Sequence, residues 1–443
     1  MREPSTKNKL GLWTSTSLVV GNMIGAGVFL MPAALASFGG ISLFGWLFSA
    51  IGAFFLAKVF GNLSKLLPGI NGGPYAYTRA GFGDFAGFIM AWGYWISVWC
   101  TNATLAVAFV SGMSTFSRVL RESPVADILT GLSAIWLLTW INTRGIIATG
   151  KVQLVTTILK LLPLFFVAIG GLFFIKLDNF KPFNISGTSN LQAITATASL
   201  TLFAFLGVEC ASIPAASVAN PGKTIPRATT IGTIFTTLVY ILVTVAVMGM
   251  IPAEHLKLSA TPLADAAALI GGDNARYLVA AGVSLAAFGA LNGWILVQGQ
   301  IPYAIATDKL FPAIFKKENK RGMPAIGIII SSLLVSVCMY MNYSKALVKQ
   351  FTFLSLLSTL TSVVPYLFCA AAYAIVSLNR KKMTTRKIIS TIMLSTLSFA
   401  FSLWAIIGAG QEIVYWGFIL LMTGVPFYVW IVYKKNIDGQ IHV

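Results

Sequence analysis

Gly21-Asn22-Met23-Ile24-Gly25-Ala26-Gly27-Val28-Phe29 sits in the middle of a stretch, residues 10–57, that carries no charged side chain. That stretch can hold two membrane-spanning helices of about 20 residues each, with Ser37-Phe38-Gly39-Gly40 as the turn between them. Gly21, Gly25 and Gly27 fall close together, and each glycine weakens a helix by about 1 kcal/mol relative to alanine. Two readings fit. The glycines either permit close helix packing in lipid, or they interrupt the first helix at mid-membrane.

The rest of the chain has the same character. Of 443 residues, 57% are apolar and only 10% charged, and the mean hydropathy is +0.82. So few charges cannot cover a soluble fold of this size. A soluble enzyme, a nucleic-acid binder and a disordered scaffold are therefore excluded. Charge-free windows recur at 85–117, 182–208, 228–253, 277–307, 350–379, 388–411 and 413–433. They predict an all-α polytopic membrane protein with twelve transmembrane helices, near 12–36, 41–65, 84–113, 124–142, 151–175, 191–217, 228–251, 277–305, 324–342, 350–377, 388–408 and 412–433. Met1–Lys9 is short and polar and shows no cleavable signal, so the first helix is expected to be retained.

The net charge of +18 follows from topology. With twelve helices, joining segments on one side of the membrane hold 21 Lys and Arg and those on the other hold 8. The richer side is cytoplasmic, which puts both termini there and leaves nothing for nucleic acid to explain. Lys316-Lys317, Lys320-Arg321 and Arg380-Lys381-Lys382 belong to this bias and face the headgroups of the bilayer. Cys100, Cys210, Cys338 and Cys369 lie in apolar stretches without metal-like spacing, and no disulfide is predicted. His255 and His442 fall outside helices. The sequence implies no cofactor and no metal.

A second interruption is expected in the sixth helix, Leu202-Phe203-Ala204-Phe205-Leu206-Gly207-Val208-Glu209-Cys210-Ala211-Ser212, with Pro214 soon after. A carboxylate near the bilayer centre costs at least ~3 kcal/mol and marks a functional site by default. Alternatively, Glu209 is structural, paired with amides freed by the break. Helices 1 and 6 occupy matching places in a five-plus-five inverted repeat. Repeats of this kind bind substrate at the midplane, with half-helix amino ends facing an anion and unwound carbonyls facing a cation. An α-amino acid carries both charges on one carbon. Its carboxylate would meet the amides around Gly25, Ala26 and Gly27, and its ammonium the carbonyls of Met23 and Leu206. Asn22 lies within the same interrupted stretch and counts with them.

These residues resemble the amino acid–polyamine–organocation superfamily. Gly21 to Phe29 is similar to its first-helix signature. Gly207-Val208-Glu209 with Asn220-Pro221 and Ile225-Pro226-Arg227-Ala228 is similar to its sixth helix and following loop, and Gly72-Gly73-Pro74-Tyr75-Ala76-Tyr77 to its second-to-third loop. Gly289-Ala290-Leu291-Asn292-Gly293-Trp294 and Ser358 to Tyr366 resemble the bacterial arginine/agmatine antiporter branch. The resemblance runs from about residue 10 to 435. It implies a leucine-transporter fold, with repeats at 12–175 and 191–377, two extra helices at 388–433, a cytoplasmic segment 1–11 and a cytoplasmic tail 434–443. It further implies sodium-independent transport by alternating access in the bacterial inner membrane, often as a homodimer.

By the same resemblance, Ala26 and Gly27 match carboxylate-binding positions, and Met23, Phe203 and Leu206 surround the ammonium. Trp294 matches an aromatic platform for a guanidinium, held by cation–π attraction. Asn102 and Ser358 match contacts to the far end of the substrate. Tyr94 and Phe203 match aromatic gates that close over an outward vestibule, Tyr75 an inner gate, and Glu209 a coupling carboxylate. Ala26 stands where that branch has serine, and Phe203 where it has tryptophan. Lys160, too deep in its helix for easy snorkelling, resembles the fifth-helix lysine of proton-coupled and heteromeric-type transporters, where the ammonium substitutes for sodium or carries a proton. Helix packing remains open for Trp294, and interhelical bonding for Asn102. The expected function is exchange of a cationic amino acid such as arginine for its amine. A proton-coupled symporter or uniporter of broader specificity is the rival. A polytopic enzyme would need clustered His, Asp or Glu, which the sequence lacks.

Overall fold

The computed structural model describes residues 10–213, 215, 218–342, 347–380 and 383–437, without the side chains of Ala26, Arg121, residues 146–155, Thr157, Ile158, Asn342 and 435–437. Residues 1–9 of the expected cytoplasmic segment, Pro214, and the tail beyond 437 lie outside the described residues. So do Arg2, Lys7, Lys9, Lys345, Lys381 and Lys382, which entered the charge balance.

The chain is helical almost throughout. In order come α1 Leu12–Met23, α2 Ala26–Ala36, α3 Ser42–Leu66, α4 Pro74–Ser114, α5 Arg118–Glu122, α6 Pro124–Thr143, α7 Ile146–Gly170 and α8 Asn190–Leu202. They are followed by α9 Pro221–Met250, α10 Ala253–Leu256, α11 Pro262–Thr307, α12 Ala325–Asn342, α13 Leu347–Leu378, α14 Thr385–Gly408, α15 Gln411–Met422 and α16 Gly424–Ile437. Among the described residues, ten helical stretches are long and apolar enough to cross a membrane, and Leu159–Phe174 and Ala325–Met341 are shorter apolar ones. Together they occupy the twelve positions read from the sequence. Phe48 and Ile51 on α3, Leu162 on α7, Leu278 on α11 and Trp416 on α15 point outward and are exposed. Apolar exposure on this scale belongs in lipid and not in water. The ion pairs, such as Arg118–Glu122 and Arg276–Asp265, lie near helix ends.

Two helices begin earlier than expected. The span predicted at 84–113 starts at Pro74, whose missing N–H costs nothing at a first helical position, and it turns at Gly83 (φ 84°). The span predicted at 277–305 starts at Pro262 and turns at Gly271-Gly272. Both added arms carry charges, Arg79 in one and Asp265, Asp273 and Arg276 in the other. A search for charge-free windows passes over them. Pro163, Pro302 and Pro365 lie inside helices, but the non-helical angles within α4 and α11 fall at glycines.

The expected turn at 37–40 forms, with Gly39 at φ 78°. It is strapped by the segment before α8: Ile41 N donates to Phe183 O (2.8 Å) and Ile185 N to Phe38 O (3.2 Å). α4 packs along α13 and α11, α7 along α11, and α3 along α9. The end of α1 from Val19 to Met23, α2 from Gly27 onward and the chain from Leu200 to Ser212 fill the middle of this bundle and are buried.

Candidate functional site

The first span is interrupted. α1 stops at Met23, Ile24 leaves helical geometry (ψ 87°) and Gly25 is extended (φ −135°, ψ −138°) before α2 starts at Ala26. A helix end leaves its last four carbonyls without partners, and in lipid each must find one. Here three helices supply the donors. Lys160 Nζ on α7 donates to Gly21 O (2.5 Å) and Ile24 O (2.9 Å). Trp294 Nε1 on α11 donates to Asn22 O (3.3 Å). Tyr240 Oη on α9 reaches Met23 O (2.5 Å) and Ala204 O (2.9 Å), and its single proton serves one of them at a time. Among the described residues, the amides of Gly25 and Gly27, at the opposite lip of the break, find no acceptor.

The sixth span breaks at the same level. α8 tightens into a 3-10 turn at Phe203–Phe205, and Leu206 is extended. Gly207 takes φ 106°, and a second 3-10 turn covers Cys210–Ser212. A Cβ on Gly207 would stand 3.2 Å from Asn22 Cβ and 3.3 Å from Met23 N. A Cβ on Gly27 would stand 2.8 Å from Ala204 Cβ. The two breaks therefore touch, and glycine is what lets them. Glu209 is buried, with Oε2 accepting from Gly207 N (3.2 Å) and Oε1 from Tyr94 Oη. Tyr366 lies against the same carboxylate.

The other residues expected at the site are arranged around this centre. Asn102 Nδ2 donates to Gln298 Oε1 (2.7 Å), and Asn102 Oδ1 has no partner among the described residues. Ser358 Oγ is committed to α4, bonding Thr101 Oγ1 (2.6 Å) and donating to Ser97 O (2.9 Å). Phe203 meets Phe351 edge-on at 5.9 Å. The Asn22 side chain touches the Cys210 thiol but forms no well-aligned hydrogen bond. The description of Ala26 stops at its backbone.

Tyr94 and Phe203, expected as aromatic gates, have different neighbours: Phe203 packs on Phe351 and does not line the cavity next to Tyr94. Tyr94 lines a cavity of about 700 Å³ that also holds Gly72, Tyr75, Arg79, Gln300 and Asp308. That is the side assigned to the cytoplasm by its basic residues. At its mouth Tyr75 Oη donates to Asp308 Oδ2 (2.7 Å), and Arg79 bridges Asp308 (2.8 Å) and Asp84 (2.7 Å). None of the described residues at either break, 23–25 or 205–207, lines it. Tyr94 ends up here because its hydroxyl is bonded to Glu209, on the far side of the sixth-helix break from Phe203.

Tyr240, Gln298 and Asp308 were not singled out in the sequence. Tyr240 sits in an apolar run, Leu238-Val239-Tyr240-Ile241-Leu242, with neither a charge nor a glycine beside it. The available signal was a phenol buried at mid-span, which must find an acceptor. Trp46 lies 5.2 Å from its ring and Phe205 5.8 Å. Tyr240→Phe keeps this packing and removes the hydroxyl. Losing a bond to a buried carbonyl costs about 1–3 kcal/mol, so substrate transport is expected to fall roughly five- to a hundredfold, with the melting temperature of the purified protein lowered. Wild-type transport by Tyr240→Phe would show that Met23 O needs no donor.

The amino acid permease family model matches residues 10–433. The chain is 32% identical over 424 residues to an arginine/ornithine antiporter of Pseudomonas aeruginosa, covering 92% of this chain and 87% of that protein. It is 31% identical over 447 residues to a cadaverine/lysine antiporter of Escherichia coli (99% and 97%). It is 30% identical over 438 residues to a putrescine transporter of Haemophilus influenzae (97% and 98%).

Proposed function

From its membership of the amino acid permease family, which makes the chain an integral membrane transporter and not an enzyme, we propose that it is a sodium-independent antiporter exchanging a cationic, arginine-like amino acid for its decarboxylated amine. The relatives named for arginine, ornithine, lysine, cadaverine and putrescine support the substrate class. One observation carries the reading. Two broken helices meet at mid-bundle, with the free amides of Gly25 and Gly27 on one side and carbonyls on the other. This is the charge pattern of a zwitterion's binding partner. Lys160 supports sodium independence, because its ammonium already occupies the carbonyls of Gly21 and Ile24. Trp294, beside Asn22 O, supports an aromatic contact to the cationic end. In this reading 12–175 and 191–377 form the repeats, both termini are cytoplasmic, and the cavity at Tyr75 and Tyr94 is the inward exit.

Proteoliposomes test it directly. External radiolabelled arginine is expected to accumulate only when the lumen holds arginine or agmatine, and replacing sodium with choline is expected to change nothing. Uptake that follows a sodium gradient would overturn the proposal. Uptake into empty vesicles under an inward proton gradient would favour the second reading, a proton-coupled symporter. Lys160, a buried ionisable group at the break, is the observation that keeps that reading in play.

A further inference from the structure

Asn102 is fully buried, yet its carbonyl oxygen has no hydrogen-bond partner among the described residues. The reason lies two side chains away. Ile328 O, a backbone carbonyl, can only accept, so the group of Gln298 that faces it at 3.2 Å must be the nitrogen. The other N–H of that amide goes to Ser332 Oγ (2.7 Å), whose own proton has Ile328 O (2.9 Å) and Thr139 Oγ1 (2.6 Å) within reach and leaves the oxygen free to accept. Gln298 Oε1 is thereby turned towards Asn102, 2.7 Å away, and only the Asn102 nitrogen can face it. The opposite orientation would set two carbonyl oxygens against each other. Asn102 Oδ1 is left pointing elsewhere, as a bare acceptor.

Its position is at the edge of the site. Leu105, one helical turn further along α4, is the residue a Cβ on Gly25 would strike. Trp294, one turn before Gln298 on α11, is bonded to Asn22 O. The Asn102–Gln298 pair therefore lies one turn from the first break, on the side of the Tyr94 cavity.

We infer that Gln298 is a specificity-determining positioning residue: by fixing the amide of Asn102 it presents a lone acceptor to the substrate. The site then requires an N–H donor, an ammonium or guanidinium, at the far end of the side chain, and discriminates against an aliphatic end of the same length. A site that leaves a buried polar group unpaired with the wrong ligand rejects that ligand strongly. Gln298 touches no substrate and acts only through Asn102. This rests on the reading of the chain as a carrier of cationic amino acids, and it names how that cation is selected.

The test compares lysine with norleucine, which replaces the ammonium by a methyl group, in thermal-shift titrations of the purified protein. The wild type is expected to bind lysine at least about tenfold more tightly than norleucine, the scale of one charge-assisted hydrogen bond. Gln298→Met frees Asn102 to turn its nitrogen inward, so this ratio is expected to fall about tenfold while norleucine binding is retained. Asn102→Leu should lower the ratio equally, and the double variant no further. Ser332→Ala, which removes one of the two acceptors orienting Gln298, serves if Gln298→Met does not fold, and should move the ratio the same way. An unchanged ratio in Gln298→Met, or in Ser332→Ala where it stands in, would overturn the inference alone. So would a further fall when Gln298→Met is added to Asn102→Leu. A wild type that prefers norleucine would overturn both the inference and the proposed function.

Discussion

Lys160→Met is expected to abolish exchange, lowering the initial rate in proteoliposomes by at least about a hundredfold. The reasoning is local. Lys160 is fully buried, and its ammonium donates to Gly21 O and Ile24 O. Methionine retains most of the stem and removes both bonds. Hydrogen bonds to a charged group are worth about 1.5–3 kcal/mol each, and the orphaned carbonyls have no water to turn to. The last turn of α1 would then close on itself or recruit another cation, and either change moves the Met23 and Asn22 carbonyls that Tyr240 and Trp294 hold. Lys160→Ala separates two versions of the role. If the ammonium only fills a cation site, sodium in place of choline should raise the melting temperature of this variant and leave the wild type unmoved. If the lysine carries a proton, the variant's residual exchange should lose the wild-type dependence on pH. Exchange by Lys160→Ala at the wild-type rate, with wild-type pH dependence, would dispose of both.

The elements that proved legible in the sequence were those whose signal is composition over a whole span. An apolar helix in lipid needs some twenty residues with little or no charge, and that pattern marks α9, α13 and α14 without knowledge of any neighbour. The breaks were legible for a related reason: glycine at 25 and 207 and a carboxylate at 209 are costly in a continuous membrane helix. What could not be read is what depends on partners far apart in the chain. Lys160 announced itself by depth, but its acceptors lie at the end of α1 and just past it, 139 and 136 residues away. Tyr240 and Gln298 carry no anomaly of their own and acquire a role only through the groups packed against them. The contact of Tyr94 with Glu209, 115 residues away, was not legible either, because it depends on how two distant helices face each other. The charged arms of α4 and α11 were missed because they follow the logic of a surface helix.

Gly207→Ala is the second substitution expected to have a large effect, and two costs combine in it. At φ 106° a side chain is strained, by about 1–3 kcal/mol. The added carbon would also press on Asn22 Cβ at 3.2 Å, and on Asn22 C and Met23 N at 3.3 Å. These are main-chain atoms or sit beside the main chain, and the carbonyls of the same two residues are pinned by Trp294 and Tyr240. The first break can yield only by giving up one of those bonds. Together, strain and a lost bond of about 1–3 kcal/mol predict a fall in exchange of at least roughly thirtyfold. Gly187→Ala isolates the contact. Gly187 also has positive φ (70°), but no atom lies within 4 Å of the place an added methyl group would take, and it belongs to the segment before α8. It should pay the backbone strain in stability alone, with exchange by the folded fraction within about twofold of wild type. Equal loss of exchange in the two variants would mean that strain anywhere suffices. A loss confined to Gly207→Ala, together with a lowered affinity for arginine, would mean that the close approach of the two breaks is itself what shapes the binding site.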